Sequence, residues 1–482
     1  MQPVHTARRV RELDARLIES LGVPGRVLME VAGREAARLL HERWPGAVVA
    51  VLCGPGNNGG DGYVLARWLK LWGHEVRIWA ARPPTTDDAR ANQTLCERQG
   101  LLSLPLPRAV GGATVVVDAL LGTGQRSAPR GTVLEGVDAL RIVHENGVPV
   151  VVLDVPTGVS ADTGQLLGGP TQAVAADLTV TFGTWKLGLL QMPGAGLAGE
   201  VAVVDLGFEL GERGGDPPPS AWLLEERDVR PMLPRRGASQ AKWNRGHVAI
   251  LGGGGAAVLA AQGALRAGAG LVSVAVPRAR WPELHGLWPE IILAEPTELN
   301  PRRHDVLVMG PGLGTQAARI VRELWSRWPG AVVADADALT ILAEECPETA
   351  GGPRVLTPHS AEAARLLDSR RAAVEADRFA AQASLARFGT TVLKGPHTLV
   401  GHPSPWVLPV ADGRLATAGS GDVLAGMIGG FLALGLGPRE AAGLGGWLHG
   451  AAAAHMPDDG SATDLLAAVR TARAALRSRR AP

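Results

Sequence analysis

AVVAVLCGPGNNGGDGYVLARWLKLWG (47–73) begins as a run of small and β-branched apolar residues, breaks on glycine and proline, and resumes as a leucine- and alanine-bearing segment. The first part reads as a parallel strand buried on both faces, and the last part as a helix. Glycines between a strand and a helix let backbone amides approach an anionic ligand at the positive helix end. Working outward, the same pattern recurs in TVVVDALLG (114–122), PVVVLDVPTG (149–158) and LTVTFG (178–183). It resumes in HVAILGGGG (247–255), DVLVMGPGLG (305–314), AVVADADAL (331–339) and TTVLKG (390–395). Both halves are therefore predicted to be α/β layers built on parallel sheets.

A chain of 482 residues exceeds what one core sustains, so more than one domain is expected. Glycine, proline and charge accumulate in GFELGERGGDPPPSAWLLEERDVRPMLPRRGASQ, which places the boundary within residues 209–222 and separates domains 1–212 and 220–482. The composition, 46% hydrophobic and 20% charged, is that of a globular protein. A net charge of +1 gives no field of one sign, so neither nucleic acid nor an anionic membrane is expected as a partner, and any phosphate must be bound locally. Cys53, Cys96 and Cys346 lack the spacing of a zinc site or a disulfide framework, which suits a reducing cytoplasm. The first 22 residues read as a charged amphipathic helix without a signal-peptide apolar run, and the mature chain is expected to start there. The glycine-rich apolar stretch from Val423 to Gly437 is too short for a bilayer and reads as a buried helix. Only Lys70, Lys186, Lys242 and Lys394 are lysines in an arginine-rich chain, so each marks a place where an ammonium resists replacement by a planar guanidinium.

In the first half, Asn57 and Asn58 bring amides to the glycine-rich turn, and Asp61 can accept from ribose hydroxyls or shape the loop. Alone, this turn is explained equally well as a tight connection. Two more strand ends carry polar turns: Asp118 with Gly122–Gly124 in VVVDALLGTGQRSAPRG, and Asp154 with Thr157 in VVLDVPTGVSADTG. Ligands of open α/β sheets collect at the carboxyl ends of strands, where these three turns converge. A strand-end aspartate such as Asp154 can also simply cap the following turn.

GPGNNGGDG, VDALLGTG, LDVPTG and TFGTWKLGL, with the earlier VLMEVAG (27–33), resemble in order the NAD(P)H-hydrate epimerase family over residues 5–208. The resemblance implies a Rossmann-like three-layer domain that interconverts the R and S forms of NADHX and NADPHX. By it, Asn57, Asn58, Gly59, Gly60 and Asp61, with Gly122, Thr123, Gly124, Gln125, Arg126, Ser127 and Ala128, contact the hydrate. It also implies a potassium ion held by Asn58, Asp118 and Thr157, and makes Asp154 the acid–base residue and a substrate contact. Oxygen ligands suit such a hard cation, and a carboxylate can shuttle a proton at the carbon bearing the hydroxyl. Thr157 replaces the family's serine and keeps the hydroxyl. Tryptophan replaces the usual proline before Lys186, which is open to pairing with a carboxylate or phosphate or to lying solvated at a strand end.

TAGSGDVLAGMIGG (417–430) is the sharpest signal of the second half: Gly419, Ser420 and Gly421 precede Asp422 and an apolar helix, giving an anion hole with a base beside it. With GPGLG (310–314), LTPHSAEAARLL (356–367) and VLKGPHT (392–398), it resembles the ADP- or ATP-dependent NAD(P)H-hydrate dehydratase family, whose fold is ribokinase-like, from Lys242 in KWNRGHVAILGG to about residue 475. The resemblance implies that Ala256, Gly312, His359 and Asp422 touch the hydrate, with Asp422 catalytic. Lys394, Gly395, Pro396, His397, Thr398 and Gly421 then hold ADP or ATP with magnesium. GGGGAAVLAA (252–261) is shorter than the family's loop, which bears on Ala256. A homo-oligomer is expected. A small-alcohol kinase would use the same anion hole and base, and a nucleotide-sensing module would keep the fold without the acids; the epimerase-like half argues against the first and the retained aspartates against the second.

Overall fold

The computed structural model describes residues 1–207, 217–234, 245–284, 288–349 and 351–478. Residues 209–216 of the expected boundary, and Lys242, lie outside them. The chain divides into two compact units, Gln2–Ala221 and Trp222–Pro482, the latter joined by Met1.

The opening 22 residues differ from the single helix expected. They form strand β1 (Gln2–His5), helix α1 (Ala7–Ala15), whose Thr6 hydroxyl accepts the Arg9 N–H, and a π-helical turn, Arg16–Ser20. Strand β1 is set by long-range pairing, which local periodicity does not carry. The first unit continues with β2 (Val48–Cys53), β3 (Glu75–Ala80), β4 (Val115–Ala119), β5 (Val150–Leu153), β6 (Leu178–Phe182), β7 (Trp185–Lys186) and β8 (Glu200–Val204). Its main sheet runs β3-β2-β4-β5-β6-β8, all parallel. β7 pairs instead with β1, placing Lys186 opposite His5.

Alternation along the strands builds three layers. Val49, Val51, Cys53, Val115, Val117, Val151 and Leu153 pack into one core with α2 (Gly25–Arg43) and α3 (Asn57–Leu71). Their neighbours Ala50, Leu52, Val116, Val150 and Val152 face a second core with Val133, Val137 and Leu140 of the helix Thr132–Glu145. Successive strand residues point to opposite faces, so the β-branched runs bury both sides.

The second unit contains β9 (Ala221–Leu223), β10 (His247–Leu251), β11 (Leu271–Ala275), β12 (Ile291–Ala294), β13 (Val306–Met309), β14 (Ala331–Ala334), β15 (Arg354–Leu356), β16 (Thr390–Leu393), β17 (Leu399–Val400) and β18 (Trp406–Val407). Strands β12-β11-β10-β13-β14-β15-β16 are parallel neighbours. β17 and β18 then add antiparallel, and β18 pairs parallel with β9. Val248, Ile250, Val306 and Val308 meet the helices Gly254–Ala267, Ser420–Ala433, Pro438–Ala453 and Ala462–Ser478 in one core. The alternate residues Ala249, Leu251, Leu307 and Met309 are equally buried, so this sheet too is covered on both faces.

The apolar stretch after Val423 is the buried helix expected. Gly426 lies so close to the helix Gly254–Ala267 that a Cβ there would fall 1.8 Å from the Ala260 carbonyl oxygen. Two glycine- and alanine-rich helices thus pack backbone to backbone. Among the described residues, no helix is long and apolar enough to cross a membrane.

Candidate active sites

The first site sits at the carboxyl ends of β2, β4 and β5. After β2 the chain turns through Gly54–Gly56 and enters α3 at Asn57. Gly54 has no room for a side chain, since a Cβ would lie 1.7 Å from the Leu120 carbonyl oxygen. That close approach brings the α3 N-terminus against the turn after β4. Asn57 is exposed there, while Asn58 and Asp61 point inward and are buried.

Asp118, at the end of β4, ties two turns together. Its Oδ1 accepts from the Thr157 hydroxyl at 2.8 Å and the Leu120 N–H at 3.1 Å, and its Oδ2 from the Thr157 N–H at 3.0 Å. Gln125 clamps the same turns, donating Nε2 to the Pro156 carbonyl and accepting the Gly158 N–H. Burial, working against the hydrogen bonds from Thr157 and Leu120, pushes the Asp118 carboxyl up. Asn58 lies nearby on α3 with both atoms of its side-chain amide buried and unpartnered. Arg126 and Ser127 stand exposed at the loop tip with Gly124, and Ala128 packs beside Gly168.

Asp154 follows β5 with a φ of +70°, a conformation few non-glycine residues adopt. It does not cap its own turn. Its Oδ2 accepts the Thr123 N–H at 2.8 Å, and its Oδ1 pairs with Lys186 Nζ at 2.9 Å. A Cβ at Gly122 would lie 2.7 Å from Asp154 Oδ2 and 3.4 Å from Asn58 Cβ, so Asn58, Gly122 and Asp154 meet at one spot. Lys186 is no solvated strand end: it is 1% exposed and also donates to Thr181 Oγ1 and the Phe182 carbonyl. Two further acids face this pair. Burial, followed by the negative charge of Asp154, pushes Asp61 well above the usual carboxylate range, with Lys186 opposing. Asp14 on α1 is pushed up to about 6, mainly by burial, with Lys186 opposing and Asp154 adding to it.

The second site lies at the corresponding ends of β10, β13, β14 and β16. Gly312, after β13, sits against the first turn of the helix Gly254–Ala267, where its Cβ would lie 3.2 Å from Ala256 Cβ. The shortened glycine run therefore still brings Ala256 beside Gly312. Past β15, His359 caps the helix Ser360–Leu366: Nδ1 accepts the N–H of Ala361 and of Glu362, while the His359 N–H donates to Glu362 Oε2 at 2.8 Å. His359 Nε2 lies 3.6 Å from Oε1 of the buried Glu362, and the imidazole is 52% exposed.

Lys394, at the end of β16, is the hub. Its Nζ pairs with Asp335 Oδ1 at 2.7 Å and lies 3.8 Å from Glu362 Oε2. A Cβ on Gly421 would sit 3.3 Å from that Nζ, which places Lys394 under the first turn of the helix Ser420–Ala433. Burial, the largest influence, pulls the ammonium down, yet Asp335, Glu362 and Asp422 together carry it above its ordinary value. Asp422 is pushed up to about 7 by burial and then by Asp335, with Lys394 opposing and Asp337 and Glu362 reinforcing. Gly419 begins the helix at φ +88°, and the buried His449, lowered to about 4 chiefly by burial, holds the Ser420 carbonyl through Nε2 at 2.9 Å. Arg378 donates to the carbonyls of Leu393 and Lys394 and anchors the loop 394–398, where the Thr398 hydroxyl donates to the Gly395 carbonyl and Gly395 and Pro396 are exposed. His397 is lowered to about 4, mainly by burial.

A family model described as YjeF-related protein N-terminus matches residues 25–188, and one described as NAD(P)H-hydrate dehydratase matches residues 248–473. The bifunctional NAD(P)H-hydrate repair enzyme Nnr of Thermanaerovibrio acidaminovorans is 39% identical, over 95% of this chain and 95% of its own. This chain belongs to the bifunctional NAD(P)H-hydrate repair enzyme family. The Escherichia coli repair enzyme is 35% identical over 92% of this chain and 88% of its own. The crystal structure of the ADP/ATP-dependent NAD(P)H-hydrate dehydratase from Bacillus subtilis, co-crystallised with ATP and magnesium, is 28% identical and covers 53% of this chain and 99% of its own, at a TM-score of 0.48.

In this repair enzyme the motif residues come together within each unit, but several site groups escaped the sequence reading. Asp335 carried a usable signal, because it ends β14 just as Asp118 and Asp154 stand at strand ends. Glu362 lay inside the quoted LTPHSAEAARLL, where it looks like the partner of a helix cap. Asp14 is one charge among many on α1, and nothing local marks it.

Proposed function

We propose that the chain repairs hydrated nicotinamide nucleotides: residues 1–212 epimerise R- and S-NAD(P)HX, and residues 220–482 dehydrate the S form using ADP or ATP. What carries the reading is the presence in one chain of two strand-end sites, each holding a carboxylate fit for proton transfer: Asp154, ion-paired to buried Lys186, and Asp422, pushed up to about 7. The family membership supports the pairing of the two activities. We place the enzyme in the cytoplasm, which the three free cysteines support.

At the first site the hydrate lies against Asn57–Asp61 and Gly122–Ala128. Asp154 takes the hydroxyl proton as the ring carbon–nitrogen bond opens to an aldehyde, the nitrogen keeping the released electron pair. Closure on the other aldehyde face returns the proton and gives the other epimer. Potassium fits the donors at this site, since Asn58 keeps a buried amide without a protein partner next to Gly122, and the end of β4 and the turn after β5 also carry the hydrogen-bonded Asp118 and Thr157. Those three residues would hold it, and its charge would offset the buried Asp118 carboxylate.

At the second site the nucleotide lies over Gly421 and Lys394–Thr398, and the hydrate against Ala256, Gly312 and His359. Asp422 removes the hydroxyl proton while that oxygen attacks the terminal phosphoryl group, releasing AMP from ADP or ADP from ATP. The ring nitrogen lone pair then expels phosphate, a far better leaving group than hydroxide, and the proton lost from the adjacent carbon restores the dihydronicotinamide. The amides at the start of the helix Ser420–Ala433 and the Lys394 ammonium face the charge that develops on the phosphoryl oxygens. Magnesium would be held through the nucleotide phosphates and would neutralise part of their charge.

The test follows dihydronicotinamide absorbance when the protein meets mixed NADHX epimers with ADP, ATP or no nucleotide, in magnesium and potassium. Complete, nucleotide-dependent recovery faster than spontaneous epimerisation is expected. Recovery of the S fraction alone would remove the first activity, and no recovery by folded protein would point to a small-alcohol kinase.

A further inference from the structure

Lys186 is a buried ammonium whose every proton is engaged. Its Nζ lies 2.9 Å from Asp154 Oδ1, 2.9 Å from Thr181 Oγ1 and 2.6 Å from the Phe182 carbonyl. Three donors meet three acceptors, so none remains for a ligand. Taking such a charge out of water costs several kcal/mol unless a partner of opposite sign sits against it. Here that partner is Asp154, although two other acids lie within reach of the same charge: Asp14 on α1 and Asp61 on α3. Neither makes an ion pair with Lys186 among the described contacts. Both are pushed up, chiefly by burial, toward the neutral acid.

The carboxylate that Lys186 selects is also the one fixed by its surroundings. The backbone of Asp154 takes a φ of +70°, its Oδ2 receives the Thr123 N–H, and Gly122 leaves no space on that side. One oxygen is therefore held by the hydrate-facing loop and the other by the ammonium. β7 brings the ammonium to this point and is only two residues long, paired to β1 through His5. His5 is itself lowered to about 4, first by burial, and so adds no positive charge that could replace Lys186.

We propose that Lys186 is a positioning residue of epimerisation, holding Asp154 rather than its two acidic neighbours in place as the proton carrier and acting on the hydrate only through it. This rests on the reading of the first unit as the epimerase. Because Lys186 does not touch the hydrate, its loss should appear in kcat and leave KM in place.

The experiment measures epimerisation kcat and KM of the full chain, with R and S forms separated by chromatography, for the parent, Lys186→Met, Asp154→Asn and the double variant. Failure of the parent to epimerise removes the reading of the first unit; everything below concerns Lys186 alone. Lys186→Met should lower kcat by about 10²-fold, within the range a positioned proton carrier contributes, with KM changed by less than about threefold. The double variant should be no slower than Asp154→Asn, since a group acting through Asp154 has nothing left to act on. A Lys186→Met kcat within about threefold of the parent, or a double variant that loses the product of the two single effects, overturns the proposal. If Lys186→Met does not fold because a lone carboxylate is left buried, Lys186→Arg decides. A folded Lys186→Arg within about tenfold of the parent kcat supports it, and one as slow as Asp154→Asn overturns it.

Discussion

Asp422 shows how neighbours turn an ordinary carboxylate into a base suited to neutral pH. Burial raises its proton affinity, Asp335, Asp337 and Glu362 add to that, and Lys394 restrains it, leaving a value of about 7. The base form exists above that value. Dehydration kcat/KM should therefore rise through neutral pH and level off, falling to about a tenth of its plateau one pH unit below the midpoint. The profile is measured on the S epimer with saturating magnesium, which keeps the nucleotide phosphates ionised. A rate unchanged between acidic and mildly alkaline pH would take the base role away from Asp422. The sequence marked Asp422 because a glycine-rich helix start and an aspartate are adjacent in the chain. It did not mark Asp335, which reaches the same site through Lys394, 59 positions away. Lys186 stood out through the scarcity of lysine and its place in TFGTWKLGL, but its burial depends on the pairing of two short strands far apart in sequence.

The elements themselves were legible wherever both faces of a strand are buried. Val48–Cys53, Val115–Ala119, Val306–Met309 and Thr390–Leu393 all fall inside the apolar runs read as strands, each followed by its polar turn. β1 and β7 were not legible, because four and two residues hold too little periodicity to separate from a loop or helix end. Helix pairing in the second unit was legible as composition but not as geometry. The run GDVLAGMIGG implied burial, whereas the structure adds that Gly426 abuts the Ala260 carbonyl oxygen at a would-be Cβ distance of 1.8 Å. Alanine inside a helix gains about 1 kcal/mol over glycine. At Gly426 the opposing atom is backbone, so the two helices would have to separate, and overpacking of about 1–3 kcal/mol or more outweighs that gain. Gly426→Ala should therefore lower the denaturant midpoint of the second unit and, by shifting the start of the helix Ser420–Ala433, reduce dehydration. Equal or higher stability would mean that the helix pair yields more readily than its backbone contact implies.

Across the whole molecule, a net charge of +1 leaves no general attraction for anionic nucleotides, so capture depends on two local constellations. Each gathers at the carboxyl ends of parallel strands, with its own lysine, the buried Lys186 or the partly buried Lys394, against its own carboxylates. The two chemistries should therefore be separable by single substitutions that change a carboxylate to an isosteric amide. With Asp154→Asn, absorbance should recover up to the S fraction at the parental rate and then creep upward only as fast as the hydrate epimerises by itself. With Asp422→Asn, no absorbance should return with either nucleotide, while chromatography shows a sample of pure R or S form relaxing to the mixture at the parental rate. The lost activity should fall by about 10²–10⁴-fold in each case, as expected for removal of a positioned acid–base group. Circular dichroism and unfolding curves matching the parent establish that each variant is folded. If either folded variant loses both activities, the division of labour between Asp154 and Asp422 is wrong.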